Sequence, residues 1–339
     1  MLSSNQVLHQ GRYRIIDQFG DVESGRLYEA YDTVSNTKVV LRESVGQLGK
    51  VATAAQIENF KAAFAADAMR LADIEHPSLL KIRDYFSEID RQYLVMESCE
   101  GSDLTSLILG QEKGPGAADI LRWADQMLDG LHYLHIQDPP IVHRNVSPRN
   151  ARLTSNFKVK LLISNGNHEN GSMDAETTTS DDADLAYKSL EQLWRGLDSA
   201  SRKMIANSFG EGSEEVLRQD LDARTDVYSV GAITYFLLTK TEPADALARY
   251  LEILDGNDDP LQRPTEINES IPDEISDALM KALELKREER FGSASEMRAE
   301  LAKVKIPTRL AEVRTGSPAR AEAPPAAPDT NHEEERLRV

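Results

Sequence analysis

Cysteine is scarce in this sequence, and long apolar runs are absent from it. Cys99 is the single cysteine among 339 residues, which excludes a disulfide within the chain and suits a reducing compartment. No stretch approaches the roughly 18 apolar residues that a membrane-spanning helix needs. The first six residues also lack the basic and apolar regions of a secretory signal peptide. We therefore expect a cytoplasmic protein without a membrane span.

Positive charge is also in deficit. The chain carries 39 lysines and arginines against 57 aspartates and glutamates, a formal net charge of -18. Such a surface repels phosphate groups, so we expect neither a nucleic-acid partner nor binding to anionic membranes. Hydrophobic residues at 40% and charged residues at 28% are typical of a folded globular chain. The length suits one two-lobed domain or two ordinary domains.

The first hundred residues have the pattern of a small β-rich unit with one helix. Short β-prone runs predict strands at 13–16, 27–31, 38–42 and 93–96. A helix is predicted from about 54 to 74, where the sequence is rich in alanine. It is expected to stop near the His-Pro pair at 76–77, because proline disfavours helix in the residue before it.

Beyond Gly101 the pattern becomes helical. Apolar residues recur at spacings of three and four, which predicts an amphipathic helix through Ile120, Ala124, Met127, Leu131 and Leu134. The segment 227–239 is apolar almost all round and predicts a buried central helix. Further helices are expected at 275–285 and 295–304. From about residue 307 the composition shifts to Pro, Ala, Glu and Arg without periodicity, which predicts a disordered tail.

Several short motifs follow one another along the chain. A turn-rich segment contains Gly20 and Gly25, and Arg42 ends the third β-prone run. Asp67 lies in the predicted helix, nine residues before His76. Each of these signals is weak by itself, since two glycines at this spacing often occur by chance.

The second half of the chain carries longer motifs. His-Arg-Asn-Val-Ser-Pro-Arg-Asn occupies 143–150, and Ile163 follows a short apolar run. Glu191 ends a Ser-Leu-Glu triplet, 222–231 opens the predicted central helix, and Arg290 lies in a Glu-Arg-Phe triplet. In this order and spacing the motifs resemble those of the bacterial serine/threonine protein kinase family. The resemblance implies an α+β, bilobal protein-kinase-like fold, with a small β-rich N-lobe and a larger helical C-lobe.

The resemblance also divides the chain into segments. It implies an N-terminal extension at 1–9, the kinase N-lobe at 10–97, the hinge and C-lobe at 98–304, and the Pro/Ala-rich disordered tail at 305–339. Within the C-lobe it implies an activation segment at about 163–191 and an insertion at about 192–221.

The residues that perform phosphoryl transfer in this family are replaced. The family uses an aspartate to orient the substrate hydroxyl, a lysine on the phosphate and an aspartate on the metal. Asn145, Ser147 and Ile163 stand at these three positions, and Asn150 remains as a vestigial metal ligand. We therefore expect no catalytic residue and no bound cofactor, the pattern of a pseudokinase, with ATP and Mg²⁺ left open as ligands.

The family's nucleotide pocket is altered as well. The residues that align with it are Gly20, Gly25, Leu27, Val40, Arg42, Met96, Cys99 and Arg152. Val40 and Arg152 stand above and below the position of the adenine ring, where added methyl groups and a charged head are unfavourable. Arg42 and Asp67 replace the lysine and glutamate that pair across the family's N-lobe, and we expect them to keep an ion pair.

Other matching positions are expected to serve structure or regulation. The resemblance implies that His143 packs under the loop, that Asp226 caps the loop backbone, and that Glu191 pairs with Arg290. Arg144 is the family's receiver for a phosphorylated loop residue, and the candidate phosphoacceptors are Thr177, Thr178 and Thr179.

Two classes of function follow from these substitutions. The first is a pseudokinase that regulates or scaffolds bacterial Ser/Thr phosphorylation signalling, with an active kinase or another signalling enzyme as its protein partner. The alternative is a weakly active ATP-dependent serine/threonine protein kinase or another nucleotide-using transferase. Joint loss of the base, the lysine and the metal aspartate favours the first.

Overall fold

An antiparallel sheet forms the N-terminal lobe of the computed structural model. The structure describes residues 2–22, 25–44, 53–88, 91–99, 101–109, 115–163, 182–203 and 220–304. Six strands of the sheet are hydrogen-bonded in the order β1-β2-β3-β4-β6-β5. Their bounds are Val7–Leu8 (β1), Tyr13–Val22 (β2), Gly25–Asp32 (β3), Thr37–Ser44 (β4), Ile82–Glu88 (β5) and Arg91–Glu97 (β6).

Strand β1 corrects the N-terminal boundary drawn from the sequence. Val7 pairs with Arg14 and Leu8 with Tyr13, so the sheet begins inside the segment assigned to an extension at 1–9. Leu8 is buried against Tyr13 and Ile15 in a small apolar core of the sheet. Burial of Leu8 holds this short strand in the sheet. A strand of two residues is too short to show a recognisable pattern in the sequence.

Helix α1 spans Ala54–Ala72 and packs on β5. Thr53 begins it, because its side chain accepts a hydrogen bond from the Gln56 amide while the Gln56 side chain returns to the Thr53 backbone. The buried face carries Phe64, Ala68 and Leu71 at spacings of four and three. The opposite face is open to solvent.

The second lobe is helical. Its α-helices span Leu104–Leu109 (α2), Ala117–His135 (α3), Leu190–Gly196 (α4), Ala223–Thr239 (α5), Ala246–Leu254 (α6), Pro264–Ile267 (α7), Asp273–Ala282 (α8) and Ala294–Leu301 (α9). Helix α5 is buried from Thr225 to Thr239, and it packs against α3, α8 and α9. It is therefore the centre around which this lobe is built.

A three-stranded sheet lies where the two lobes meet. Its strands β7 (Gly101–Asp103), β8 (Ala151–Thr154) and β9 (Val159–Leu161) pair in sequence order. Backbone bonds also cross between the lobes: the Leu80 amide donates to the Leu161 carbonyl at 2.9 Å, and the Leu161 amide donates to the Ser78 carbonyl at 2.8 Å. Across the described ranges, no helix has both the length and the apolar character needed to traverse a bilayer.

Candidate functional site

The loop at 143–150 is held from below by Asp226, in the first turn of α5. Its carboxylate accepts bonds from the backbone amides of His143 and Arg144, each at 2.8 Å, and contacts His135 Nε2 at 2.8 Å. Burial would raise the pKa of Asp226, but the His135 hydrogen bond, the electrostatic effect of His135 and His143, and the His143 amide together lower it. A buried carboxylate therefore stays ionised and ties the loop to the central helix.

Arg144 adopts a left-handed backbone conformation, with φ of 63°. This conformation is costly for a residue with a Cβ, so the surrounding contacts must hold it. The Arg144 amide bonds Asp226, and its carbonyl accepts a hydrogen bond from Gln192 Nε2 at 2.6 Å. These two backbone contacts hold the loop at Arg144.

Asn150, a polar residue of the loop, forms hydrogen bonds to the loop's own backbone. Asn150 donates from Nδ2 to the Asn145 carbonyl at 3.1 Å, and its amide donates to the Ser147 carbonyl at 3.1 Å. The Ser147 hydroxyl is buried and has no hydrogen-bond partner within the described ranges. The Asn150 side chain thus acts first as a turn-forming group, whose carbonyl oxygen is its remaining ligand atom.

Ile163 lies just past β9, at the position where the family carries its metal-binding aspartate. Its side chain is buried, with 2% of the residue exposed, and its carbonyl accepts a hydrogen bond from Arg42 Nη1 at 3.3 Å. The candidate phosphoacceptors Thr177, Thr178 and Thr179 lie outside the described residues. An isoleucine offers no ligand atom, so this position cannot bind a hard cation through its side chain.

Arg42 is buried without the partner expected from the sequence. Its guanidinium bonds the Ile163 carbonyl, while Nε and Nη2 are buried and bond no described residue. The predicted ion pair with Asp67 is absent, and Asp67 forms no ion pair with any described residue. The aspartate is one methylene shorter than the family's glutamate, which reduces its reach. Burial lowers the pKa of Arg42 to about 10.

The residues around the predicted adenine position are largely buried. Leu27, Val40 and Met96 lie in the apolar core that runs between the lobes, and Met96 pairs with Val40 across β6 and β4. Cys99 is half-buried, and burial raises the pKa of its thiol. Gly20 and Gly25 are backbone members of β2 and β3, where Gly20 pairs with Leu27 and Gly25 with Val22.

Arg152 turns its head toward the hinge. Its Nη2 donates to the Gly101 carbonyl at 3.1 Å. Gly101 has φ of +146°, and a Cβ there would lie 2.0 Å from the Leu153 carbonyl oxygen, so only glycine fits this close approach of β7 to β8. The guanidinium of Arg152 is therefore engaged by the backbone at the hinge.

Glu191 and Arg290 form a buried ion pair beneath the loop. Arg290 Nη1 and Nη2 donate to the two Glu191 carboxylate oxygens at 2.7 and 3.0 Å, and Nε donates to the Glu284 carbonyl at 2.7 Å. Thr225 also donates to Glu191, at 3.1 Å. Burial opposes ionisation of Glu191, yet the Arg290 charge outweighs it and lowers the Glu191 pKa.

The comparisons with known proteins agree with this arrangement. The model of the protein tyrosine and serine/threonine kinase family matches residues 15–193, more than half of the chain. The chain belongs to this family. A probable serine/threonine-protein kinase of Clostridium acetobutylicum is 26% identical over 295 residues, covering 87% of this kinase chain and 40% of that relative. The serine/threonine-protein kinase PksC of Streptomyces coelicolor is 24% identical. The match covers 89% of this chain and 50% of PksC.

Solved kinase structures share the fold. The kinase domain of Mycobacterium tuberculosis PknI, in a double-mutant form, superposes with a TM-score of 0.61 at 16% identity, covering 89% of this chain and 98% of that one. The apo form of PpkA-294 superposes with a TM-score of 0.60 at 20% identity. The match covers 89% of this chain and 99% of that one. This kinase chain spans about two fifths to half the length of the curated relatives described above.

Magnesium and its nucleotide fit these residues poorly. Among the described residues, no group of three or more His, Cys, Asp or Glu side chains is placed to hold a metal ion. Asn150 retains one amide oxygen, and Ile163 contributes none. The described residues therefore do not supply the pair of metal ligands that kinase chemistry requires.

Two residues that support the loop were missed by the sequence reasoning. His135, the last residue of α3, contacts Asp226, and Gln192 holds the Arg144 carbonyl. A signal for Gln192 was present, since Ser189 and Gln192 have the three-residue spacing of a capping box that starts α4. His135 carried no local signal, because its partner is 91 residues away.

Proposed function

We propose that this kinase-family domain transfers no phosphate and instead regulates a protein partner in phosphorylation signalling. The observation that carries the proposal is the state of the cleft at Ile163. An apolar side chain is buried there, and its carbonyl is engaged by Arg42, at the place where the family positions its metal aspartate. The frame around the cleft is retained, which supports a binding role for the fold.

The chemistry argues in the same direction. An amide at Asn145 cannot take up a proton near neutral pH, and losing a general base costs about 10²–10⁴ in rate. Ser147 brings no positive charge to a transferring phosphoryl group, and the metal ligands are incomplete. Each loss alone could be offset by relocation of one group. Three losses in one cleft leave no described residue to perform the step.

The alternative is a weakly active serine/threonine kinase, because the named relatives are called kinases. The buried, unpaired nitrogens of Arg42 are the feature that favours it, since an anionic ligand would neutralise them. Metal-free nucleotide binding and catalysis must therefore be measured separately.

The test pairs a binding assay with a transfer assay on the full chain. Thermal-shift titration with ATP, alone and with Mg²⁺ or Mn²⁺, reports binding to the folded state. Transfer of radiolabelled phosphate to itself and to a generic protein substrate reports catalysis. We expect no transfer under any condition. Autophosphorylation that disappears when Asn145 is replaced by alanine would overturn the proposal.

A restoration series sharpens this test. Asn145→Asp alone should stay inactive, because the metal ligand and the phosphate cation are still missing. The matched comparison is the triple variant Asn145→Asp, Ser147→Lys, Ile163→Asp, which returns all three groups to the same scaffold. Robust turnover in the single variant would show that another group already binds the metal.

We also propose that a partner kinase phosphorylates one of Thr177, Thr178 and Thr179, and that Arg144 receives the phosphate. A phosphate adds about -1.5 to -2 charge and three acceptors, which an arginine grips well. Acidic neighbours in the same segment oppose this through repulsion. Mass spectrometry of protein from its native cells tests it. Absence of modification at all three positions would remove this part of the proposal.

A further inference from the structure

Helix α1 is tied to the helical lobe by Arg70. Its Nη2 donates to the Pro140 carbonyl at 3.2 Å and also to the Pro139 carbonyl. Pro139 and Pro140 lie in the loop after α3, so the bond joins the last turn of α1 to that loop of the other lobe. With the Arg42–Asp67 pair absent, Arg70 is a described polar contact that reaches from α1 to the second lobe.

Two apolar residues close in sequence to the ends of this bridge are exposed. Met69, beside Arg70, is 57% exposed, and Ile136, just past α3, is 63% exposed. Each has an exposed carboxylate near it in sequence, Asp73 on the α1 side and Asp138 on the α3 side, and neither pairs with a described residue. We call Met69, Asp73, Ile136 and Asp138 the lobe-boundary surface. It is apolar and acidic at once, and it crosses from one lobe to the other.

The C-terminal segment 305–320 has the complementary character. It contains Lys305, Arg309, Arg314 and Arg320 against one acid, Glu312, so four positive charges and one negative charge give +3 in a chain of -18. Its apolar residues include Ile306, Leu310 and Val313. The remaining residues, 321–339, are again rich in acids. Charge therefore selects 305–320 as the part of the tail that an acidic surface attracts.

The segment also starts in the right place. Helix α9 packs along α3, where Arg298 contacts Asp125 at 2.6 Å and also bonds Asp129. Ile136 lies seven residues beyond Asp129, about 10 Å along the α3 axis. The chain leaves α9 near Val304, and nine extended residues span up to about 30 Å. This length exceeds the roughly 10 Å along α3 between Asp129, which Arg298 contacts, and Ile136.

We propose that residues 305–320 dock within the same molecule on the lobe-boundary surface. Leu310 and Val313 cover Met69 and Ile136, and the arginines of the segment lie near Asp73 and Asp138. The positive charge of Arg70 opposes this attraction, but the two carboxylates of Asp73 and Asp138 outnumber it. Docking would hold α1 against the helical lobe from outside, in addition to the Arg70 bridge.

Trypsin provides the first test, because Arg309 and Arg314 are cleavage sites within the segment. Cleavage of a bound segment tracks the fraction that is transiently released. In the full chain we expect cleavage at both sites to be about tenfold slower than in a synthetic peptide of residues 305–320. Raising the ionic strength from about 0.01 M to about 1 M shortens the Debye length from about 30 Å to about 3 Å and should reduce this protection.

Surface variants locate the contact. Met69→Ser with Ile136→Ser should bring cleavage to the rate of the free peptide. The matched control is Val34→Ser with Phe157→Ser, two exposed apolar residues elsewhere that are 75% and 43% exposed; protection should persist in it. Cleavage of the unaltered chain at the peptide's rate overturns the proposal, and so does protection that survives in the Met69 and Ile136 variant. Protection that grows with protein concentration overturns it in favour of docking between two copies.

A tail variant gives a second readout that leaves the folded lobes unaltered. Leu310→Ser with Val313→Ser should speed amide hydrogen exchange about tenfold at 66–72 and at 134–138, where the docked segment would lie. Exchange at 230–238, inside the central helix, should stay the same. Equal exchange of the two proteins at both surface regions would show that the segment does not dock there.

Discussion

The buried charges of the helical lobe and the buried charge of the cleft are treated differently. In the helical lobe the buried charged residues are satisfied. Glu191 pairs with Arg290, Arg249 with Asp259, and Arg287 with Asp222 and Glu288. Asp226 bonds His135 and two backbone amides. In the cleft, Arg42 is equally buried and bonds one carbonyl. Among the described residues, buried charge is therefore satisfied in the frame and left unsatisfied at the position where the family performs chemistry.

This difference teaches which contacts maintain the fold. The kinase-like frame is held by the buried carboxylates of Asp226 and Glu191. Their hydrogen bonds go to backbone amides and to an arginine rather than to a nucleotide or a metal. The catalytic positions can change while this frame is retained. Stability and chemistry are then separable, and each of the following measurements tests that separation.

The largest effect is expected in the frame. Replacing Arg290 with alanine leaves the Glu191 carboxylate buried without its partner, which should cost about 3–5 kcal/mol of unfolding free energy. Denaturant unfolding followed by circular dichroism measures it. Arg263→Ala is the control, because Arg263 pairs with Asp277 at the surface and should cost about 0–1 kcal/mol. Equal losses in the two variants would contradict the comparison.

A smaller loss is expected at the carboxylate below the loop. Asp226→Asn keeps the shape of the side chain but removes the charge that the His143 and Arg144 amides bond. Bonds to a charged group are worth about 1.5–3 kcal/mol, and we expect a loss in that range. The melting temperature reports it, with Asp277→Asn as the surface control. An unchanged melting temperature would mean that the loop does not depend on this charge.

The cleft should respond with the opposite sign. Arg42→Met removes a buried guanidinium that has little compensation and should stabilise the protein by about 1 kcal/mol or more. Arg42→Lys is the matched control, because it keeps a buried charge and should bring no gain. A loss of stability in the methionine variant would indicate that Arg42 is satisfied by a group beyond the described residues.

The smallest effect concerns acid. Burial lowers the pKa of His143, and the pKa of Glu191 is lowered as well. A histidine with a lowered pKa resists protonation in the folded state, so stability should decline as pH falls below about 6.5. The carboxylate contribution is present above pH about 4.5 and is lost as pH falls further. Melting curves between pH 7 and 5.5 should decline less steeply in His143→Gln; an identical slope would exclude His143 as the titrating group.

Elements with strong periodicity could be predicted from the sequence. Helix α1 was expected at 54–74 and spans Ala54–Ala72, and the buried helix expected at 227–239 forms most of α5. Strand β5, Ile82–Glu88, was missed, because polar residues interrupt its apolar pattern and it is supported by pairing with β6. The bilobal kinase fold itself is confirmed by solved structures that share it.

The candidate site was less accessible to sequence reasoning. The motifs located the loop, Asp226 and the Glu191–Arg290 positions, since their spacing is characteristic of the family. The predicted Arg42–Asp67 pair was wrong. Aspartate is one methylene shorter than the family's glutamate, and whether its shorter side chain still reaches the arginine depends on the three-dimensional distance between them. The Arg70 bridge was not foreseen, since its acceptors are backbone carbonyls nearly 70 residues away and leave no trace in side-chain identity.

The backbone bonds that join the lobes also bear on how the chain folds. Leu161 bonds Ser78 and Leu80 across about 80 residues of sequence, and closing a loop of that length costs about 4 kcal/mol of chain entropy. Long-range contacts of this kind slow folding, because the entropy is lost before the contact is gained. A β-rich lobe that has just left the ribosome therefore lacks the bonds of Ser78 and Leu80 to Leu161 until β9 has been synthesised. The two lobes should consequently unfold together, in a single thermal transition.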